Sequence, residues 1–293
     1  MTTPAKDRPV VVGVDGSDEG MAAVHWAADE ARGRQCPLWV VHAVDLEGIT
    51  ILAGFYSDAV DAARRAAQDV LDRAVAKASD QAGDVQVRPI LEDGHPSNVL
   101  LRHAPHAQLL VLGARGRGGF ASMMLGSTSL QVAMHAHCPV LVLRSGVAGL
   151  ADGPSAGRIV VGTDGSPLSE HAVALAFEEA ELSGAGLTAL RTWLAPDIDV
   201  DALPPHEWEQ AEKDEQARLT ESLAVWRSRF PGVDVIEKAL RGDPAATLVE
   251  ESAGAQLLTV GSHGRGGFGG MVLGSVSHAV LHHAHCPVAV TRP

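Results

Sequence analysis

This sequence of 293 residues predicts two tandem α/β domains, each a doubly wound, parallel sheet of five strands. Three observations carry that reading. The chain repeats itself. Within each copy, short continuous apolar runs alternate with helical periodicities. A glycine-rich loop follows the fourth run of each copy.

The repeat is direct. VVVGVDGS at residues 10–17 returns as IVVGTDGS at 159–166, an offset of 149. GARGRGGFASMMLGSTS at 113–129 returns as GSHGRGGFGGMVLGSVS at 261–277, and HAHCPVLV at 135–142 returns within HHAHCPVAV at 282–290, both offset by 148. Each copy is far longer than a solenoid repeat and is expected to own a core. The domains are placed at 1–145 and 158–293. The small-residue stretch SGVAGLADGPSAG, beginning at Ser145, reads as a flexible linker over 146–157.

The elements follow in order. Residues 10–14 are a short apolar run, as expected of a strand covered on both faces. Ser17 has the chemistry of an N-cap, with Met21, Val24, Ala28 and Ala31 at helical spacing before Gly33. A second strand is read over 38–44, a long amphipathic helix from 58 to about 81, and a third strand over 85–91. A short helix over 97–104 leads to a fourth strand over 109–113. The glycine loop then opens a helix over 127–135, and a fifth strand runs over 139–143. The second copy keeps this order from 159 to 291. Strands alternating with helices give parallel pairing through right-handed crossovers.

In such sheets, ligands sit beyond the carboxyl ends of the strands where strand order reverses. Two features of each copy fall at strand ends. One is an acid after strand one, Asp15 or Asp164. The other is the loop Gly113-x2-Gly116-x9-Gly126-Ser127, or Gly261-x2-Gly264-x9-Gly274-Ser275. Glycines let main-chain N–H groups approach an anion, and the closing Gly-Ser opens a helix whose first N–H groups favour phosphate. Ser127, Ser129, Ser275 and Ser277 can add hydroxyl donors. The two aspartates suit a ribose hydroxyl or a metal on the phosphates better than the phosphates themselves. Read alone, the loop predicts an anion site; its rival is a turn that merely reverses the chain.

Composition excludes several classes. The formal charge is −13. The first 150 residues carry 13 basic and 16 acidic side chains and the remainder 10 and 20, so neither half offers a basic field for nucleic acid or anionic lipid. No apolar run approaches the roughly 20 residues that span a bilayer. The start MTTPAKDRPV lacks a secretory apolar core, which points to the cytoplasm. Cys36, Cys138 and Cys286 are too few and scattered for a disulfide framework or a four-cysteine zinc site. Gly264-x-Gly266-x2-Gly269 spells a dinucleotide fingerprint but follows strand four, and no phosphate-loop lysine motif occurs. No hydrolase nucleophile elbow is read.

With the Asp and the loop in both halves, the chain resembles the universal stress proteins, in the tandem-domain form common in actinobacteria. The resemblance covers nearly everything outside the linker. It implies a Rossmann-like fold of the adenine-nucleotide α-hydrolase-like group, and ATP, with Mg2+ on its phosphates, as ligand. By that similarity Gly13, Asp15, Gly113, Gly116, Arg117, Gly126, Ser127 and Ser129 would hold one nucleotide. Gly162, Asp164, Gly261, Gly264, Arg265, Gly274, Ser275 and Ser277 would hold the other. The family's adenine contact just past strand two falls at Ala43 and Thr192, where the copies diverge. The resemblance also implies pairing of domains through their fifth strands, so that one chain imitates a dimer and chains can pair further. The function implied is a nucleotide-dependent regulator of a stress or growth-arrest response, with an unidentified protein partner and little or slow hydrolysis. Two alternatives stand at this point: an enzyme transferring adenylate or phosphate, and a nucleotide-free adaptor or chaperone-like protein.

Weaker signals have plain readings. His135, His137, His282, His283 and His285 crowd a helix end, where the dipole favours them, and neighbours two apart do not converge on a metal. Cys138 and Cys286 read as packing thiols, and Cys36 as the better redox candidate. Arg115, like Arg117 and Arg265, is placed for the triphosphate or for solvent. Trp193, Trp208 and Trp226 belong to the second half alone, beside the acids of 207–221, which read as a wet helix face or a partner surface.

Overall fold

The computed structural model describes residues 8–46, 57–116, 125–144, 153–193, 205–264 and 273–292. The chain divides into two compact units, Met1–Ser145 and Gly146–Pro293.

In the first unit the order is β1 (Val10–Gly13), α1 (Asp18–Arg34), β2 (Leu38–Val44), α2 (Ser57–Ala82), β3 (Val87–Asp93), α3 (Pro96–His103), β4 (Leu109–Gly113), α4 (Ser127–His135) and β5 (Val140–Leu143). Its strands lie side by side as β3-β2-β1-β4-β5. Every described pair among them is parallel, with Val10 opposite both Leu38 of β2 and Leu109 of β4. The chain leaves β1 in one direction for β2 and β3, then returns to the other side for β4 and β5. The reversal therefore lies between β1 and β4, where such a sheet opens a crevice at its carboxyl edge.

The second unit repeats this with β6 (Ile159–Gly162), α5 (Pro167–Ser183), β7 (Leu187–Trp193), α6 (Pro205–Arg229), β8 (Val235–Arg241), α7 (Pro244–Glu251), β9 (Leu257–Gly261), α8 (Ser275–His283) and β10 (Val288–Thr291). Its order is β8-β7-β6-β9-β10, again parallel, with Ile159 opposite Leu187 and Leu257.

The central strands are apolar on both faces because both are covered. Val10, Val11, Val12, Leu109, Leu110 and Val111 are wholly buried. In the first unit α1 packs with α2, and α3 with α4. The face of α1 turned inward is small (Ala23, Ala27, Ala28 and Ala31 beside Val24), which lets the helix lie close to β1 and β4. Met21, read as part of that face, is only half-buried. Helix α1 also runs through Gly33 to Arg34 and stops at Gln35, whose φ of 53° turns the chain. Strand β3 begins at Val87, two residues later than expected, because the chain first turns at Gly83, φ 64°.

The linker reading fails over 153–157. Ser155 is buried and its Oγ donates to Glu251 Oε2 at 2.6 Å, while Gly157 N–H donates to Gly254 O at 2.9 Å. These residues are pinned to the second unit. Residues 146–152 lie outside the described residues.

The N-cap reading holds in detail. Ser17 Oγ accepts from Gly20 N–H at 3.1 Å and donates to Asp15 Oδ1 at 2.5 Å. Ser17→Ala removes both bonds and is expected to cost about 1 kcal/mol, measured as a lower urea midpoint at unchanged slope.

Candidate functional site

The crevice predicted by the strand reversal is present in each unit. In the first it is a cleft of about 360 Å3, walled by Gly13 at the end of β1 and Asp15 in the turn after it, β2 (Val41 and Ala43), α3 (Pro96 and Leu100) and the two ends of the glycine loop. In the second the cleft is about 270 Å3, and Gly162, Asp164, Leu190, Thr192, Pro244 and Leu248 take the corresponding places. Ala43 and Thr192 are the last residue but one of their strands, inside β2 and β7 rather than past them.

The carboxylates are aimed by their own turns. Asp15 Oδ1 accepts Ser17 N–H at 2.9 Å, and Asp164 Oδ1 accepts Ser166 N–H at 2.9 Å. Each then passes directly under the loop. A Cβ on Gly116 would stand 2.6 Å from Asp15 Oδ2, and one on Gly264 2.9 Å from Asp164 Oδ2. Only a residue without Cβ lets the loop's second glycine close over the acid.

Of the helices that start at this edge of each sheet, the ones after the first and fourth strands differ in how they begin. Helix α1 is closed by Ser17, and α5 by Ser166, whose Oγ accepts from Ser169 N–H. The N-caps of α4 and α8 are Gly126 and Gly274, with no side-chain cap. Their first turns therefore present main-chain N–H groups, with the positive end of the helix dipole, to a cleft lined by Gly126 and Ser127 or by Gly274 and Ser275. This is donor chemistry suited to a phosphate. Gly126 N–H is already spent on Ala114 O at 2.7 Å, and Gly274 N–H on Ser262 O at 2.7 Å, so the loop closes on itself before the helix begins.

Residues 7–144 and 156–292 each match the model of the universal stress protein family. The chain belongs to that family. A universal stress protein of Mycobacterium tuberculosis is 40% identical over 296 residues, covering 100% of this chain and 99% of the relative. One of Mycolicibacterium smegmatis is 38% identical over 299 residues, covering 100% of both. The crystal structure of a universal stress protein from Archaeoglobus fulgidus superposes with a TM-score of 0.70 at 20% identity, covering 97% of this chain and 96% of that one, a likeness of fold.

Within this universal stress protein, several sequence-predicted residues have other work. The Ser129 hydroxyl donates to Gly113 O at 2.7 Å and Ser277 to Gly261 O at 2.6 Å. These protons tie the first helical turn to the end of β4 or β9, so the expectation of outward donors is left to Ser127 and Ser275. Arg115 is held by Glu19, an acid the sequence reading passed over. Arg117 and Arg265 lie outside the described residues.

Cys36 is not the exposed thiol that redox chemistry needs. It is buried, and desolvation raises its pKa above the ordinary 9.0. Burial pushes Cys138 further, to about 12. Between pH 9.0 and about 12 the unfolded chain loses the Cys138 proton while the folded chain keeps it, so stability falls as pH rises through that window. Cys138→Ala is expected to flatten the slope of stability against pH there, read by urea titrations at pH 8 and 10.

Trp226 stacks with Phe177 and Phe230 inside the second unit, and Trp208 is 6.2 Å from the Trp193 ring with the Arg241 guanidinium 5.0 Å over its own. Of the acids nearby, Glu215 binds Arg191 and Arg218. Burial works against its charge, but the Arg191 and Arg218 contacts outweigh that and lower its pKa. Among the described residues, no three His, Cys, Asp or Glu side chains gather as a metal site, and no helix is long and apolar enough to cross a membrane.

One motif escaped the sequence reading: Gly153-Pro154-Ser155-Ala156-Gly157 spells G-x-S-x-G. It precedes β6 instead of following a strand, and Ser155 is buried against Glu251. It is no nucleophile elbow.

Proposed function

We propose that each domain binds one adenine nucleotide, ATP with Mg2+ on its phosphates, and that the protein regulates a cytoplasmic stress or growth-arrest response according to nucleotide occupancy. The observation that carries this reading is the uncapped helix start beside the glycine loop and the aspartate, built twice. In this reading the phosphates meet the N–H groups that follow Gly126 and Gly274, with the Ser127 and Ser275 hydroxyls. Asp15 and Asp164 take the ribose, and the adenine lies toward Ala43 or Thr192. Mg2+ would come with the phosphates. Bound nucleotide would order the loops and shift a partner-binding equilibrium.

Hydrolysis is expected to be slow. The carboxylate at the cleft is oriented by the main-chain N–H of Ser17 or Ser166 through Oδ1, with Oδ2 under the loop's second glycine, which suits holding a hydroxyl better than activating water. Pairing of the two domains through residues 139–143 and 287–291, and further pairing of chains, belong to the same proposal. Sedimentation tests the pairing of chains.

The deciding experiment is to purify the protein without added nucleotide, denature it and identify released small molecules by mass spectrometry. ATP approaching two per chain is expected. ADP in its place would favour turnover. No nucleotide, followed by no binding of added ATP–Mg, overturns the reading and leaves the adaptor.

A further inference from the structure

Among the differences between the two clefts, one lies behind the loop. In the first domain the Glu19 carboxylate, 7% exposed, reaches from the first turn of α1 to the residue that follows β4 by two. Its Oε2 accepts the main-chain N–H of Arg115. Its Oε1 accepts Arg115 Nε at 2.8 Å and Nη2 at 2.8 Å. Main chain and side chain of one loop residue are thus gripped by one buried carboxylate. The approach is close because a Cβ on Gly113 would stand 2.8 Å from the Glu19 carbonyl carbon. In the second domain the corresponding residues are Leu168 and His263. The Leu168 side chain cannot accept a hydrogen bond, so a side-chain grip of this kind is absent there.

We propose that Glu19 is a positioning residue for the first nucleotide pocket. Acting through Arg115, it holds the start of the glycine loop in place, which makes the two pockets unequal. This inference rests on the nucleotide reading above. Arg115 sits one residue before Gly116, the glycine that closes over Asp15, and it lines the cleft itself. A charge-assisted grip on its N–H and guanidinium fixes that turn before any ligand arrives. The first pocket then has less ordering left to do on binding than the second, where leucine stands in the place of Glu19. Arg115, engaged by Glu19, is correspondingly a scaffold for the loop more than a ligand for the triphosphate.

Two measurements on the full-length chain test this. Amide hydrogen exchange without nucleotide should show residues 113–116 exchanging faster in Glu19→Gln than in wild type. Titration with ATP–Mg in a Gly264→Ala background, where the second pocket is weakened and the tighter phase reports the first, should show Glu19→Gln binding roughly tenfold more weakly in that phase. The paired change Leu168→Glu with His263→Arg, in a Gly116→Ala background, should tighten the second pocket. A purely structural role for Glu19 would lower the melting temperature and leave the affinity of the folded protein unchanged, and that result overturns the proposal. So does unchanged exchange at 113–116, or equal affinity of the two wild-type pockets. Failure of the nucleotide reading is seen separately, as wild-type protein that binds no ATP–Mg at all while the exchange difference persists.

Discussion

Gly116→Ala is expected to empty the first pocket and leave the second filled, so that nucleotide released on denaturation falls from about two per chain to about one. The new methyl would stand 2.6 Å from Asp15 Oδ2, a separation no real Cβ tolerates. Either the carboxylate leaves the turn that Ser17 holds it in, or the loop lifts off the crevice. Overpacking of this kind costs about 1–3 kcal/mol, which is roughly a 5- to 150-fold loss of affinity if it falls wholly on the bound state. Gly264→Ala should act the same way on the second pocket, less severely, since its methyl would stand 2.9 Å from Asp164 Oδ2. Mass spectrometry of released nucleotide measures both. Full occupancy in either variant would show that closure of the loop over the aspartate is not required.

The largest expected loss of stability lies in the second domain. Phe177 is wholly buried on α5, its ring stacked at 5.6 Å from Phe230 and 6.3 Å from Trp226. Phe177→Ala removes a large apolar side chain from a close-packed centre and is expected to cost roughly 3–5 kcal/mol. Because Trp226 reports on that centre, its fluorescence should change at a lower urea concentration in the variant. A loss under about 1 kcal/mol would mean that Trp226 and Phe230 collapse into the gap.

Much of this architecture was legible before any coordinates. Strands at 38–44 and 109–113 and the helix at 127–135 match the structure residue for residue, because each is bounded by a sharp chemical change: Pro37 and Asp45 around one apolar run, Gly113 closing the other, and Gly-Ser opening a helical period. The parallel sheet followed from the alternation, and the crevice from the reversal between β1 and β4. What escaped the sequence shares a different character. Glu19 looks like any acid in a first helical turn; only the fold brings it to a loop residue 96 positions away. Comparison of the copies could not reveal it, since the second copy has leucine there. Ser129 and Ser277 occupy positions where a hydroxyl can turn outward or inward, and the choice is made by the carbonyl at the end of the preceding strand. Cys36 lacks a counterpart in the second copy, which suggested special chemistry, yet its side chain is buried in the core.

The glycine at the head of α4 and α8 has a consequence for how such a protein can change. A serine at position 126 or 274 could cap its helix as Ser17 caps α1, for a gain of a few tenths of a kcal/mol. The same hydroxyl would take up one of the N–H groups that now face the cleft. Selection for a sturdier fold and selection for an occupied pocket therefore pull in opposite directions at these two codons. A lineage that no longer needed its ligand would be free to drift toward the cap, so the residue found there is a marker for whether a homologous domain still answers to an anion.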